Sequence, residues 1–410
     1  MAGSVRAGML PERMEWIGRF HQSEHVDRKQ VPGTLTQVWR HGELVHSSMT
    51  GLIDMERGTA MREDAIFRIY SMSKPITAVA LMMLVEEGRI SLADDVEKWI
   101  PSWKGLRVYE SGGLGSFKTR PTTRPMRVID LCTHTAGLTY GNADRGQVEK
   151  AYKELGVVAK TTEGGLDTFV EQLAGLPLCF SPGDAWNYSV AMDVMGYLVQ
   201  KVSGQSFGSF LQERIFGPLG MADTAFWCPP ERLDRFASCY EAAPDGSISL
   251  QDDGQKGTYN APPKLESGGG GLVSTARDYM RFCRMMLGGG TLDGVRILGP
   301  KSVAMFSMNL LPNAGSMVGM TTWSFGIPEG HAGYGFSLAC AVKTDVAASM
   351  MPGSVGEFSW SGAASTYFWI DPAENLAVTF FTQVLNHAGR FPLRRQLRQI
   401  VYGAISESFA

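Results

Sequence analysis

The stretch Ile76-Thr-Ala-Val-Ala-Leu-Met-Met-Leu-Val85 leaves a helix no polar face. A helix that is apolar all round is buried on most sides, so the rest of the fold has to close around this segment. Residues 66–69 just before it read as a short strand, and Gly88 ends the helix. Ser71 and Lys74 stand at the predicted helix start. Residues three apart share one face of a helix, so the Lys74 amine reaches the Ser71 hydroxyl. A serine beside a lysine that can take its proton is the S-x-x-K arrangement of an activated nucleophile. A helix start also aims free backbone N–H groups at an oxyanion formed there. Pro75 is tolerated because first-turn N–H groups lack intrahelical partners. The competing reading makes Ser71 a cap and Lys74 a solvated first-turn residue. A lysine at the mouth of a buried helix argues against it.

At 410 residues the chain is long enough for a large core and for two structural lobes. Its 44% hydrophobic and 19% charged residues are ordinary for a globular protein. A net charge of −3 gives no reason to expect nucleic acid or an anionic membrane as partner. The start Met1-Ala-Gly-Ser-Val-Arg6 shows no secretory signal, and residues 76–85 are too short to cross a bilayer. Six cysteines are scattered without a C-x-x-C or a His-rich spacing. Neither a disulfide framework nor a metal site is expected, and the default is a reduced, cytoplasmic protein without cofactor.

Along the chain, residues 11–29 predict an amphipathic helix, and 34–40 and 43–50 predict a hairpin turning at His41-Gly42. Residues 105–127, rich in Gly, Pro, Thr and Arg, read as a long loop whose arginines are solvated. Residues 228–265 also read as loop. Short helices follow at 127–133 and from Gly165 to Ala174, with longer ones at 190–202 and 279–287, the last capped by Thr275-Ala-Arg-Asp278. From Gly333 the pattern changes to strands at 335–343, 356–360, 366–370 and 376–382, and residues 392–408 close the chain as a helix. Both ends thus supply strands and a flanking helix. The simplest α/β (α+β) arrangement joins residues 1–85 and 270–410 into one lobe with an antiparallel sheet. A mostly helical lobe, 86–269, is inserted, with the site between them.

Other candidate chemistry is weaker. Gly204-Gln-Ser206-Phe-Gly208 matches G-x-S-x-G, but that elbow needs a strand before the serine. Here a helix precedes it, so Gly204 reads as a helix-ending glycine and Ser206 as the next N-cap. Gly268 to Gly271 is followed by no G-K-[ST] and reads as a structural turn. His134 has a lysine rather than itself beside the candidate serine, and reads as holding its own loop. Tyr188, after a Pro-Gly turn and before a helix, either projects into a cleft or packs as an ordinary aromatic. Trp360-Ser-Gly-Ala363 ends a strand where backbone N–H groups could face a site.

Taken together, the pieces resemble the penicillin-recognising serine hydrolases, and most closely the esterases with a β-lactamase fold (family VIII carboxylesterases), which are similar to class C β-lactamases. Ser71-Met-Ser-Lys74 looks like the family's first motif, and Leu131-Cys-Thr-His-Thr-Ala-Gly-Leu138 like its structural L-x-T-H-T-S-G-L loop. Tyr188-Ser189 matches the second motif, with Asp193 fitting the Y-S-x-x-x-D form of the esterases. Trp360-Ser361-Gly362-Ala363 stands where β-lactamases carry K-T-G and the esterases usually W-G-G. Two departures separate the chain from β-lactamases. Val190 replaces the asparagine of Y-x-N, and Trp360 replaces the lysine that would hold a β-lactam carboxylate. A lost charge-assisted hydrogen bond costs about 1.5–3 kcal/mol.

The resemblance implies a β-lactamase/transpeptidase-like fold and hydrolysis of a small-molecule ester of short to medium acyl chain. It implies Ser71 as nucleophile, Lys74 and Tyr188 as proton-transfer groups, and an oxyanion hole from the N–H groups of Ser71 and Ala363. Trp360, Ser361, Gly362 and Val190 are the implied substrate-binding residues. The alternatives are a β-lactamase, a D-amino-acid peptidase or an acyltransferase on the same scaffold, and a catalytically silent binding protein that kept the fold. The natural ester, the oligomeric state, and the choice between Lys74 and Tyr188 as base stay open.

Overall fold

A computed structural model describes residues 6–141, 146–157, 163–321, 331–387 and 390–408. Eight strands form one sheet: β1 (Gly33–Arg40), β2 (Glu43–Asp54), β3 (Thr59–Ala60), β4 (Tyr334–Phe336), β5 (Ala341–Lys343), β6 (Phe358–Ser361), β7 (Tyr367–Asp371) and β8 (Leu376–Phe381). Their order is β4-β5-β6-β7-β8-β1-β2-β3, and every pairing is antiparallel. The two chain ends meet where β1 pairs with β8, Val38 lying opposite Val378.

Strand alternation explains why this sheet is apolar on both sides. Leu376, Val378 and Phe380 of β8 join a core with Met14 and Ile17 of helix α1 (Pro11–His21) and with Leu393, Leu397 and Val401 of the closing helix, Arg390–Gly403. Ala377 and Phe381 face the other way, into the main core. That core holds helix α2 (Ser73–Glu86), helix α3 (Ala191–Ser203) and helix α4 (Ala276–Leu287). Twelve residues of α2, from Ser73 to Leu84, are buried, as its lack of a polar face requires. Among the described residues no helix is long and apolar enough to cross a membrane.

The fold class read from the sequence holds, and several local expectations are corrected. Residues 105–127 are not simply a loop: Arg107–Ser111 and Lys118–Pro121 pair as a hairpin. Arg107 binds Thr119 within it, while Arg124 makes a two-pronged ion pair with the buried Asp130. Cys239–Ala242 and Ile248–Asp252 form a second hairpin inside 228–265. The run at 335–343 is two strands, β4 and β5, turning through Ala339 at a φ of 64°. The first helix is regular only to His21 and continues as a wider π turn, Gln22–Val26.

Candidate active site

Strand Ile66–Arg68 pairs with Val273–Thr275 and delivers the chain to Tyr70. Tyr70 has a φ of +43°, outside the range most side chains prefer. The next residues correct the expected helix start. Ser71 lies in a 3₁₀ turn, Tyr70–Met72, and α2 begins only at Ser73. In a 3₁₀ turn residues i and i+3 eclipse, which sets Lys74 over Ser71. The Lys74 Nζ donates to Ser71 Oγ at 3.0 Å and to the Gly269 carbonyl. Ser71 is half-buried, and Lys74 is 0% exposed.

Tyr188 is presented by two segments clamped together. The Asn187 N–H donates to the His134 carbonyl at 2.9 Å, and its side-chain amide to the Leu138 carbonyl at 2.8 Å. Gly137 bends the 134–138 loop at a φ of 82°, and a Cβ there would lie 2.3 Å from the Phe180 carbonyl oxygen. The Ser189 N–H donates to His134 Nδ1 at 3.3 Å, so the neutral ring carries its proton on Nε2. Burial and the Lys74 charge push the His134 imidazole well below its ordinary value. His134 was expected to hold its own loop; here its ring bonds Ser189 and so braces the second motif. Its ring centroid is 4.7 Å from that of Tyr188.

The Lys74 Nζ sits 4.6 Å from the Tyr188 ring centroid. From the far side the Trp360 indole N–H donates to the Tyr188 hydroxyl at 3.2 Å. Trp360 is the last residue but one of β6, and strand alternation turns Ser361, which ends it, to the opposite face. Gly362 touches the nucleophile's strand: a Cβ there would lie 2.5 Å from the Ile69 carbonyl oxygen. Ala363, the next residue, is exposed. Val190 is 1% exposed in the main core and offers the site no polar group.

Ser71, Lys74, Tyr188 and Trp360 thus meet in one place, and Ser206 does not join them. It accepts from the Ser209 N–H as the N-cap of Phe207–Leu211, after Gly204 ends α3. Two parts of the site went unread in the sequence. Tyr140 hydrogen-bonds Tyr188, and burial with the neighbouring Tyr188 and Asp193 pushes its phenol well above the ordinary range. A hydroxyl-bearing aromatic two residues beyond the Leu131–Leu138 motif was the available signal. The second part is the Gly268–Gly271 turn, which holds no phosphate-loop sequence yet supplies a carbonyl to Lys74.

A mixed α/β body with an antiparallel sheet, and a serine–lysine pair at the mouth of its buried helix, is a β-lactamase-like architecture. Residues 20–402 match the family described as Beta-lactamase, and the chain belongs to it. It is 36% identical to Protein Rv1367c of Mycobacterium tuberculosis over 366 residues, 88% of each chain. It is 29% identical to Esterase EstB of Burkholderia gladioli, covering 98% of this chain and 97% of that one. The solved structure of EstCE1, titled a hydrolase with promiscuous acyltransferase activity, superposes with a TM-score of 0.75 at 23% identity, covering 96% of this chain and 98% of that one. The resemblance drawn from the motifs, to esterases on this fold, is borne out by EstB along nearly the whole chain.

Proposed function

We propose that the chain is a carboxylesterase that works through an acyl-enzyme on Ser71. The observation that carries this reading is the Lys74–Ser71 contact of 3.0 Å under a fully buried lysine. With Lys74 neutral, that contact reverses, and the hydroxyl donates to the amine. Ser71 Oγ then attacks the ester carbonyl carbon as its proton passes to Lys74. The backbone N–H groups of Ser71 and Ala363 receive the oxyanion. Collapse expels the alcohol, which takes a proton delivered through Lys74 and Tyr188. Water repeats the sequence on the acyl-enzyme and restores the Ser71 hydroxyl. Lys74 and Tyr188 act as a coupled pair, with Trp360 fixing the tyrosine oxygen from the other side.

The substrate class follows from what the site offers. A neutral indole at position 360 packs on an uncharged ester and gives no cation to a β-lactam carboxylate. The similarity to EstB along almost the full length of both chains supports the same reading. A cytoplasmic setting belongs to the proposal as well, on the ground that all six cysteines are free thiols.

Hydrolysis of a short p-nitrophenyl ester tests the assignment. Ser71→Ala is expected to abolish turnover and labelling by a fluorophosphonate probe, while Ser206→Ala keeps most of both. Activity surviving in Ser71→Ala and lost in Ser206→Ala would sink the proposal. Preferential transfer of the acyl group to an added alcohol, over water, would assign the chain to acyl transfer instead.

A further inference from the structure

The buried acid of the second motif has no part in the mechanism above, yet it lies one residue away from it. Asp193 stands in the first turn of α3 and is 1% exposed. Its Oδ1 accepts from the Ser267 hydroxyl and from the Gly269 N–H at 3.0 Å. The carbonyl of that same Gly269 accepts from Lys74. Gly269 admits no side chain, because a Cβ would stand 2.7 Å from Asp193 Oδ2. Carboxylate, glycine backbone, lysine and serine therefore form one continuous hydrogen-bonded line.

The remainder of the glycine turn is fastened to the nucleophile's own elements. Thr77, one turn beyond Lys74 on α2, donates to the Gly268 carbonyl at 2.9 Å. Tyr259 donates to the Gly270 carbonyl at 3.3 Å, and the Leu272 N–H donates to Ser73 Oγ at 3.1 Å. The Ile69 N–H closes the strap on the Leu272 carbonyl at 3.1 Å. Among these ties, Asp193 is the side chain that accepts from the Gly269 N–H from the α3 side, and Ser267 donates to the same carboxylate oxygen.

We infer that Asp193 is a positioning residue for Lys74: by holding Ser267 and the Gly269 N–H, it aims the Gly269 carbonyl at the lysine and so sets where the amine meets Ser71. This extends the proposed function and rests on it. Val190, also in the second motif, is packed in the main core and has no polar side-chain atom to offer the site. The acceptor that holds the lysine besides Ser71 Oγ is the Gly269 carbonyl. Burial pushes the Asp193 carboxyl up, while Ser267, the Gly269 N–H and Lys74 pull the other way. The role assigned here is carried by the acceptor oxygen, which an asparagine retains, and not by the charge.

Asp193→Asn, Asp193→Ala and Ser267→Ala, each checked for folding by circular dichroism and thermal melting, test this on p-nitrophenyl ester hydrolysis. Asp193→Ala is expected to lower kcat about thirtyfold to a hundredfold, with KM within about threefold of wild type, and to slow fluorophosphonate labelling of Ser71 in parallel. Asp193→Asn is expected to recover most of kcat, because its carbonyl still accepts from Gly269. Ser267→Ala, which keeps Asp193 itself, is expected to lose about threefold to tenfold in kcat, and it carries the test if Asp193→Ala does not fold. The inference is overturned by a folded Asp193→Ala with kcat within twofold of wild type, by a loss that falls on KM, or by Asp193→Asn failing as badly as Asp193→Ala. If only Ser267→Ala can be measured, wild-type kcat overturns it. Ser71→Ala separates the two levels. An active Ser71→Ala removes the proposed function itself, whereas a dead Ser71→Ala beside Asp193→Ala and Ser267→Ala of wild-type kcat removes only the inference.

Discussion

Trp360 puts a neutral donor where the β-lactamase-like pattern has a cation. Its indole N–H takes one lone pair of the Tyr188 hydroxyl at 3.2 Å, which leaves the phenol's own proton free to move along the proposed relay. The ring also packs against Phe336 with centroids 5.3 Å apart, so the indole both shapes the wall and orients the tyrosine. Trp360→Phe separates the two jobs, because it keeps an aromatic in the wall and deletes the N–H. A neutral hydrogen bond contributes about 0.5–1.5 kcal/mol, so kcat on a short ester is expected to fall about twofold to tenfold. KM should stay near wild type. Steady-state kinetics check this, and an unchanged kcat would show that the contact does not tune Tyr188. At this scale the chemistry was legible. Ser71 and Lys74 were singled out by their spacing and Tyr188 and Trp360 by the resemblance to the family's motifs, and the four are together in space. Tyr140 was not, and its place two residues beyond the Leu131–Leu138 motif was the one signal that pointed to it.

Elements were legible where burial imposes a period and illegible where it does not. The α2 helix and strands β7 and β8 announce themselves by apolar and β-branched runs, and they are buried as those runs demand. The Arg107–Ser111 and Lys118–Pro121 hairpin is largely exposed, with arginine, lysine and threonine in its strands, so no alternation marks it. The Cys239–Ala242 hairpin could have been read from Pro244-Asp-Gly246, a turn sequence with a mechanism. The split between β4 and β5 could not. Ser337-Leu-Ala-Cys340 is a buried run without turn residues, and its turn is held by the Ser337 N–H donating to the Cys340 carbonyl at 2.8 Å. Packing between elements matters most at Gly362, where β6 closes on the strand before Ser71. In Gly362→Ala the added methyl would stand 2.2 Å from Thr366 Oγ1 and 2.5 Å from the Ile69 carbonyl oxygen. Backbone on one side and a buried threonine on the other leave little room to yield. Overpacking of this kind costs about 1–3 kcal/mol. The variant is expected to unfold at lower urea and to lose at least tenfold in kcat/KM as Ile69 and the Ser71 turn that follows it are pushed aside. Wild-type values for both would show that the contact relaxes without consequence.

The whole molecule is a sheet with helices on both faces, and the face beneath the terminal helices carries buried histidines that tie stability to pH. The core beneath the terminal helices has histidines at its margin. His21 of α1 is 0% exposed, its ring 5.1 Å from that of Phe380 and 5.8 Å from that of His25, and neither of its nitrogens has a hydrogen-bond partner. Burial, with His25 and His46 nearby, lowers its pKa to about 3, and burial lowers that of His46 to about 4. His25 is lowered as well, by burial against the opposing effect of Gln30 and Glu24. An unfolded chain returns these rings to an ordinary value near 6.5. Between the two values the unfolded state binds protons that the folded state refuses, so stability rises with pH there. The contribution is complete above pH 6.5 and is lost as pH falls toward about 3 for His21 and about 4 for His46. At pH 4.5 the His21 share of the loss is roughly 2–3 kcal/mol, at about 1.4 kcal/mol per pH unit. Urea unfolding at pH 4.5, 5.5 and 6.5 is therefore expected to show a free energy that climbs with pH. In His21→Leu, which fills the same apolar slot without a titrating ring, the slope should drop by about 1.4 kcal/mol per pH unit. An identical slope in wild type and variant would mean that His21 already binds its proton in the folded state. The charge on His21 would then have to be accommodated between α1 and β8, among the rings of Phe20, His25 and Phe380, where the contacts around it provide no acid to receive it.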